Sequence, residues 1–180
     1  MKSQTKEGKV LIRSIEMNDA FTLMEMNNDP QISKFVVGSP RKVNIDDQMQ
    51  WMKRLKNEKN TVRFMIDYED RPVGTIIISD ISGNNQTANM NIKLLPASWG
   101  KGVGTSSIKL TLEYCFVKMD MECITAHVLS YNKASLALFT KSGFTNEGVL
   151  RSRIIKDDKR CDLVSFSILR NEYLEKRNGI

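Results

Sequence analysis

The sequence predicts a mixed α/β fold: a mostly antiparallel central sheet of about seven strands, flanked by helices. The order of elements is strand, helices, three strands, helix, strand, helix, two strands. The helical stripes fall between strands that have to share one sheet. One strand also runs through a glycine-spaced turn into a helix, a unit that builds a right-handed crossover. A length of 180 residues gives a single domain, 1–180, with its core over roughly 10–170.

Val10 to Ile15 is the first expected strand. Asn18 and Asp19 are cap candidates for a helix carrying Phe21, Leu23, Met24 and Met26, which Asn27-Asn28-Asp29-Pro30 breaks. A short helix or turn follows from Ile32 to Val36, and Gly38-Ser39-Pro40 is loop. Asn44 caps the next helix, with Asp47 as its box partner. Ile45, Met49, Met52 and Leu55 share one face of it. Val62 to Ile66 is a strand and Glu69-Asp70-Arg71-Pro72 a turn. Val73 to Ser79 is almost wholly apolar, as expected of a central strand covered on both faces. After Ser82-Gly83-Asn84-Asn85, the stretch Thr87 to Leu95 alternates, with Ala88, Met90, Ile92 and Leu94 on one side. Ile108, Leu112, Cys115, Phe116 and Met119 mark a long helix, and Glu122 to Leu129 a strand. Asn132 caps a shorter helix holding Leu136, Ala137 and Leu138, ended by Gly143. Phe144 to Ile155 and Cys161 to Leu169 are strands joined by a hairpin turn at Lys156-Asp157-Asp158-Lys159. Arg170 to Ile180 reads as a polar tail.

The stretch Leu94 to Ser107 carries Gly100, Gly102 and Gly104 at alternate positions between strand and helix. Without Cβ atoms these residues are free to take positive φ and to approach a ligand closely. N–H groups at the start of the helix, expected from Gly104 onward, attract an anion. A phosphate-bearing ligand is therefore expected. Two phosphate motifs are excluded. No Gly, four residues, Gly-Lys-Ser/Thr string exists. The third glycine of a dinucleotide fingerprint is Thr105 when counted from Gly100 and Ser107 when counted from Gly102.

Trp99-Gly100-Lys101-Gly102-Val103-Gly104-Thr105 resembles the acetyl-CoA pyrophosphate loop of the GCN5-related N-acetyltransferase (GNAT) superfamily, Arg/Gln-x-x-Gly-x-Gly/Ala. Trp99 stands where that pattern has Arg or Gln. Asn132 to Phe144 looks like the superfamily's Asn-x-x-Ala/Ser helix ending in Gly-Phe. Glu147-Gly148-Val149-Leu150-Arg151, Leu11-Ile12-Arg13, Asp19-Ala20 and Asn28-Asp29-Pro30 are similar to its ribosomal-protein-alanine acetyltransferase branch.

The resemblance implies acetyl-CoA as donor and a primary amine, on a protein N-terminus or a small molecule, as acceptor by direct attack. It implies central strands splayed apart between Leu94 and Val128. Leu94 and Leu95 would lie along the pantetheine, and Lys101, Gly102, Val103, Gly104 and Thr105 around the pyrophosphate. Thr105 would donate to phosphate or cap the helix. Asn132 would hold a pantetheine amide, and Ser135 would meet the CoA sulfur and help protonate the leaving thiolate. Phe139 stands where many members carry an acidic tyrosine, so Ser135, a water or Tyr131 has to serve. Asn89 replaces a carboxylate common in the branch. Asp80 and Glu147 remain as bases acting through water, and His127 reads as structural. The acceptor site is expected from Asn28 to Lys42 and the hairpin Arg151 to Arg160, with Phe35, Arg41, Trp51 and Tyr131 as contacts. Alternatives are an amino-sugar nucleotide acetyltransferase, a polyamine acetyltransferase, and a non-catalytic acyl-CoA-binding module.

The hydrophobic fraction of 41% and charged fraction of 27% are those of a globular protein. The net charge of +6 suits an anionic partner and opposes a polycationic one. The loose basic group Arg151, Arg153, Lys156, Lys159 and Arg160 reads as a solvated turn. Cys115, Cys123 and Cys161 show no CxxC spacing and His127 is the sole histidine, so neither a disulfide framework nor a metal is expected. The aliphatic run Ile76-Ile77-Ile78 is too short to span a bilayer, and the first nine residues carry no apolar signal core. The expected setting is cytoplasmic. The partners are acetyl-CoA and an amine, with no membrane or nucleic acid and with a homodimer as an option.

Overall fold

The computed structural model describes residues 4–7, 9–37 and 42–178. Its strands are β1 (Gln4–Glu7), β2 (Val10–Ser14), β3 (Val62–Tyr68), β4 (Arg71–Ser82), β5 (Thr87–Leu94), β6 (Cys123–Leu129), β7 (Thr145–Lys156) and β8 (Lys159–Leu169). They form one eight-stranded sheet in the order β1-β2-β3-β4-β5-β6-β8-β7. Neighbours are antiparallel except β5 and β6, which run parallel across the helical crossover. β1 makes this one strand more than expected. Its residues Gln-Thr-Lys-Glu have no apolar alternation, and the edge strand is held through its backbone ladder to β2.

The helices are α1 (Ala20–Asn28), α2 (Pro30–Ser33), α3 (Ile45–Arg54), α4 (Val103–Glu113), α5 (Lys133–Lys141) and α6 (Arg170–Asn178). A π-helical turn, Tyr114–Lys118, extends α4. The main core lies on one face of the sheet. Ile12, Phe64, Ile66, Ile76, Ile78 and Met90 pack there with Ile108, Leu112, Cys115 and Phe116 from α4 and its extension. A smaller cluster of Ala20, Leu23, Met52 and Met65 seats α1 and α3 on the opposite face. β4 is central as expected, with Ile76 and Ile78 inside the main core. Along β5 the expected alternation places Ala88, Met90, Ile92 and Leu94 in the main core. Asn89, Asn91 and Lys93 consequently point to the α1 and α3 face.

Several local expectations change. Residues 170–178 are helix rather than tail. The Tyr173 ring packs 5.1 Å from Phe116, Arg177 pairs with Glu113 at 3.2 Å, and Glu172 caps the Leu169 N–H at 2.9 Å. Tertiary anchors of this kind leave no periodic stripe to read. Asp19 occupies the N-cap position of α1, but its side chain makes no cap bond to that helix and instead accepts the Glu16 N–H at 2.7 Å. It ends a 3-10 turn over Met17–Asp19 and accepts both ends of the Arg13 guanidinium at 2.8 Å. Phe21 is exposed while Ala20, Leu23 and Met26 are buried. In α3 Asn44 does cap, its Oδ1 taking the Asp47 N–H at 2.9 Å. The buried face, however, holds Gln48 and Met52, and Met49 is turned outward.

The β7–β8 hairpin turns through Asp157 and Asp158, both at positive φ. Its basic residues are solvated except Lys156, which is 4% exposed. Among the described residues no helix is long and apolar enough to cross a membrane.

Candidate active site

β5 and β6 pair only over Thr87↔Cys123, Ala88↔Ile124 and Asn89↔Thr125. Beyond that point each keeps its outer partner, β5 with β4 as far as Gly74↔Leu94 and β6 with β8 as far as Leu129↔Leu163. The two strands therefore open into the V that the resemblance implied. A cavity of about 470 Å³ occupies it. Its walls include Met90, Ile92 and Leu94 from β5, His127 and Val128 from β6, Gly102 to Thr105 from α4, and Asn132, Ser135 and Phe139 from the α5 region.

Backbone direction inside the V follows from one hydrogen bond. The Leu95 N–H donates to Val73 O at 2.8 Å. In an antiparallel ladder successive residues alternate sides, so Met90, Ile92 and Leu94 aim their N–H and C=O groups at the opening. Leu95 does not share in this, contrary to expectation. Its N–H is spent on Val73, and its carbonyl accepts from both Ser98 N, at 2.9 Å, and Ser98 Oγ, at 2.7 Å. Ile92 takes its place. The Leu94 carbonyl is itself capped by Trp99 Nε1 at 2.9 Å. That contact gives a physical role to the residue that departs from the Arg/Gln pattern.

The glycine turn divides its labour. Gly100 (φ 73°) and Gly102 (φ 78°) are left-handed, where a Cβ is strained. Gly102 is the N-cap of α4, which starts at Val103, one residue earlier than expected. A glycine cap has no side chain to satisfy the N–H groups of Val103, Gly104 and Thr105, so the helix end faces the cavity as an anion site. Gly104 needs no unusual φ. A Cβ there would meet Leu138 at 3.1 Å, so this glycine exists for close packing of α4 on α5. Thr105 is inside the helix and lines the cavity, so it is not the cap. Lys101 is exposed and lies outside the cavity wall.

Asn132 caps α5, its Oδ1 accepting the Ser135 N–H at 3.1 Å, and both residues line the cavity. Phe139 is buried with its ring edge-on to Phe144 at 5.0 Å. Tyr131 lies outside the cavity wall. Its hydroxyl donates to Lys34 O at 2.9 Å and burial raises its pKa, so its proton is committed to the α2 connection.

His127, which the sequence reads as structural, lines the V. Its Nδ1 is 3.3 Å from Asn89 Oδ1, and Thr125 Oγ1 reaches the same oxygen at 3.4 Å. In the tautomer whose Nδ1–H donates to that amide oxygen, Nε2 is the ring nitrogen that keeps its lone pair. Asp80 lies at a bulge of β4 bonded to Ser79, and Glu147 is bonded to the Ser167 hydroxyl. Neither lines the V.

Phe35 lines the V, Trp51 lines a second cavity under α3, and Arg41 lies outside the described residues. Cys115 is fully buried and its thiol is pushed up to about 12, which makes it inert at neutral pH. Among the described residues no cluster suited to a metal ion occurs.

A parallel pair opened into a V, with a glycine-capped helix at its mouth, is the arrangement that the acetyltransferase resemblance implied. The family model of the acetyltransferase (GNAT) domain matches residues 9–145, and the chain belongs to that family. It is an N-acetyltransferase that uses acetyl-CoA as donor.

The chain is 27% identical over 169 residues to an N-acetyltransferase named p20 from Bacillus licheniformis, covering 92% of this chain and 95% of that one. The crystal structure of spermidine N-acetyltransferase from Vibrio cholerae in complex with CoA and spermine is similar, with a TM-score of 0.86 at 22% identity, over 93% of this chain and 99% of that one. A dodecameric structure of the Vibrio cholerae enzyme gives a TM-score of 0.81 at 20% identity, over 94% and 99%.

Proposed function

We propose that the V between β5 and β6 holds acetyl-CoA, so that a primary amine reaches the thioester from the α1 and α3 face and is acetylated by direct attack. The observation that carries this reading is the ladder's end at Asn89↔Thr125, with Ile92 and Leu94 turned toward the gap. The pantetheine would add to that edge as a further strand does, and Asn132 would hold one of its amides. Its pyrophosphate would sit on the N–H groups of Val103, Gly104 and Thr105.

The amine nitrogen bonds to the acetyl carbonyl carbon and, after the tetrahedral intermediate, the C–S bond breaks. His127 Nε2 takes the amine proton, and the Ser135 hydroxyl donates a hydrogen bond to the leaving sulfur. Most of the barrier reduction comes from positioning the amine against the thioester. Phe139 excludes a tyrosine acid on α5, which is why the thiolate has to be steadied from Ser135.

The names of the Vibrio cholerae neighbours favour a second reading, a polyamine acceptor. A homo-oligomer is part of the proposal, supported by the dodecameric neighbour, and light scattering measures it. Free thiol release from acetyl-CoA tests the reaction, with protein N-termini, amino-sugar nucleotides and polyamines as acceptors. CoA binding without release from any amine would replace the enzyme by a binding module, and absence of CoA binding would remove the reading altogether.

A further inference from the structure

A second cavity, of about 480 Å³, lies on the other face of β5 beneath α1 and α3. Lys93 lines both cavities, so the two spaces meet at this residue. Among the described residues the Lys93 ammonium has neither an ion-pair nor a hydrogen-bond partner. Burial, with Arg63 nearby, lowers its pKa.

Gln48 is 1% exposed and lines the same cavity. Its Oε1 accepts from Asn27 Nδ2 at 3.0 Å, which leaves Nε2 as a buried donor with no partner. Native proteins rarely leave such a donor unsatisfied, and the cost is about 1–3 kcal/mol. Lys42, Arg54 and Arg63 complete the basic wall, against Asp47 as the only carboxylate among the described residues that line it. Arg63 is held by Glu58 at 3.0 Å and stacks 5.4 Å from Trp51, so it is a fixed part of that wall. The approach to the cavity is fixed too. Asn28 clamps Val43 through both its backbone groups, at 2.8 and 3.0 Å.

We propose that this second cavity seats an anionic group, a carboxylate or a phosphate, carried by the acceptor amine. The inference rests on the acetyl-transfer reading and narrows it to amines that bear a negative charge, against the polyamines. An oxyanion satisfies at once the orphan Gln48 donor and the partnerless Lys93 ammonium. A polyamine would add cations beside Lys93 and Arg63. Asn91 points to the same face and also lines the V, and successive same-face residues on a strand are about 7 Å apart. The anion is therefore separated from the reacting amine by several bonds, as in an aminoalkyl phosphate, an ω-amino carboxylate or an amino-sugar phosphate. A free α-amino acid is too short.

The test compares aminoalkyl phosphates and ω-amino carboxylates with uncharged amines of equal length and with spermidine, by thiol release and by calorimetric binding to the CoA-loaded protein. The expected result is a kcat/KM at least tenfold higher for an anionic amine than for its uncharged counterpart. Lys93→Met should collapse that ratio, with the change in KM. Arg54→Gln, on the solvent side of α3, reads the same ratio without altering a buried residue. Phosphate-bearing and carboxylate-bearing amines, run separately, identify which oxyanion fits. Preference for spermidine or for uncharged amines, or a ratio untouched in both variants, overturns the proposal. If nothing is turned over, anionic amines that still bind the CoA-loaded protein in a Lys93-dependent way uphold the anion cavity and dispose of the catalytic reading. Binding that ignores Lys93 disposes of the cavity.

Discussion

The Lys156 ammonium donates to Ser33 O at 2.8 Å and to Val36 O at 3.0 Å. One buried charge thus ties the tip of the β7–β8 hairpin to the end of α2 and the segment that follows it. Tyr131 adds a second tie through Lys34 O, and Ile32, Phe35 and Val36 line the V. Lys156→Met should cost about 1–3 kcal/mol, because buried carbonyls lose charge-assisted donors. Acceptor KM should rise more than kcat falls. Hydrogen exchange across residues 33–37 is the direct measurement, and unchanged protection there contradicts the role.

Gly102→Ala places a Cβ at φ 78°. The expected loss is about 1–2 kcal/mol, with CoA binding weakened because the α4 amides lose their aim. Gly104→Val acts differently: its side chain meets Leu138 and Leu94. It should lower thermal stability through packing, and the two variants separate in a comparison of Tm with CoA affinity.

Arg13 bridges Asp19 and Asp67, at 2.8 and 2.7 Å, across β2, the 3-10 turn and β3. The hydrogen bonds that Arg13 donates to Asp19 lead the causes that raise its pKa, so it stays charged across the accessible pH range. Arg13→Ala leaves two carboxylates buried without their cation and should cost about 3–5 kcal/mol in denaturant unfolding. Activity of the folded fraction should persist, since neither cavity includes Arg13.

Lys93 has its pKa lowered, first by burial and then by Arg63. The unfolded chain therefore binds the proton more tightly, and the Lys93 contribution to stability improves as pH rises from the lowered pKa toward the ordinary lysine value. Lys93→Met should raise Tm at neutral pH, and the gain should shrink in alkaline buffer. A Tm difference that does not vary with pH would contradict the burial of this charge. Cys115 has the opposite sign of linkage. Its thiol stays protonated in the folded state up to about 12, so stability falls as pH rises above the thiol's ordinary value.

Ser135→Ala should lower kcat with little change in CoA affinity. His127→Gln should lower kcat/KM, because it removes the basic ring nitrogen from the cavity wall. A lowered Tm with kcat/KM of the folded protein unchanged would make His127 structural.

Patterns in the chain alone determined most of the local elements that line the V. Alternation on β5, the Gly102 and Gly104 positions, the Asn132 cap and the hairpin at Asp157-Asp158 are local features. Their side chains and φ values are set within a few residues, so spacing reveals them. Tertiary structure decided what depends on partners distant in sequence. It chose Ile92 over Leu95 because the Leu95 N–H was already given to Val73. It put Lys156 inside rather than in solvent because two carbonyls of the α2 segment await it. It folded 170–178 against Phe116 and Glu113 without any apolar stripe. It also joined Gln48, Lys93 and Arg63, from α3, β5 and β3, into one basic cavity. Burial and electrostatic field are properties of groups brought together in space, so this cavity became legible only once the sheet had been assembled.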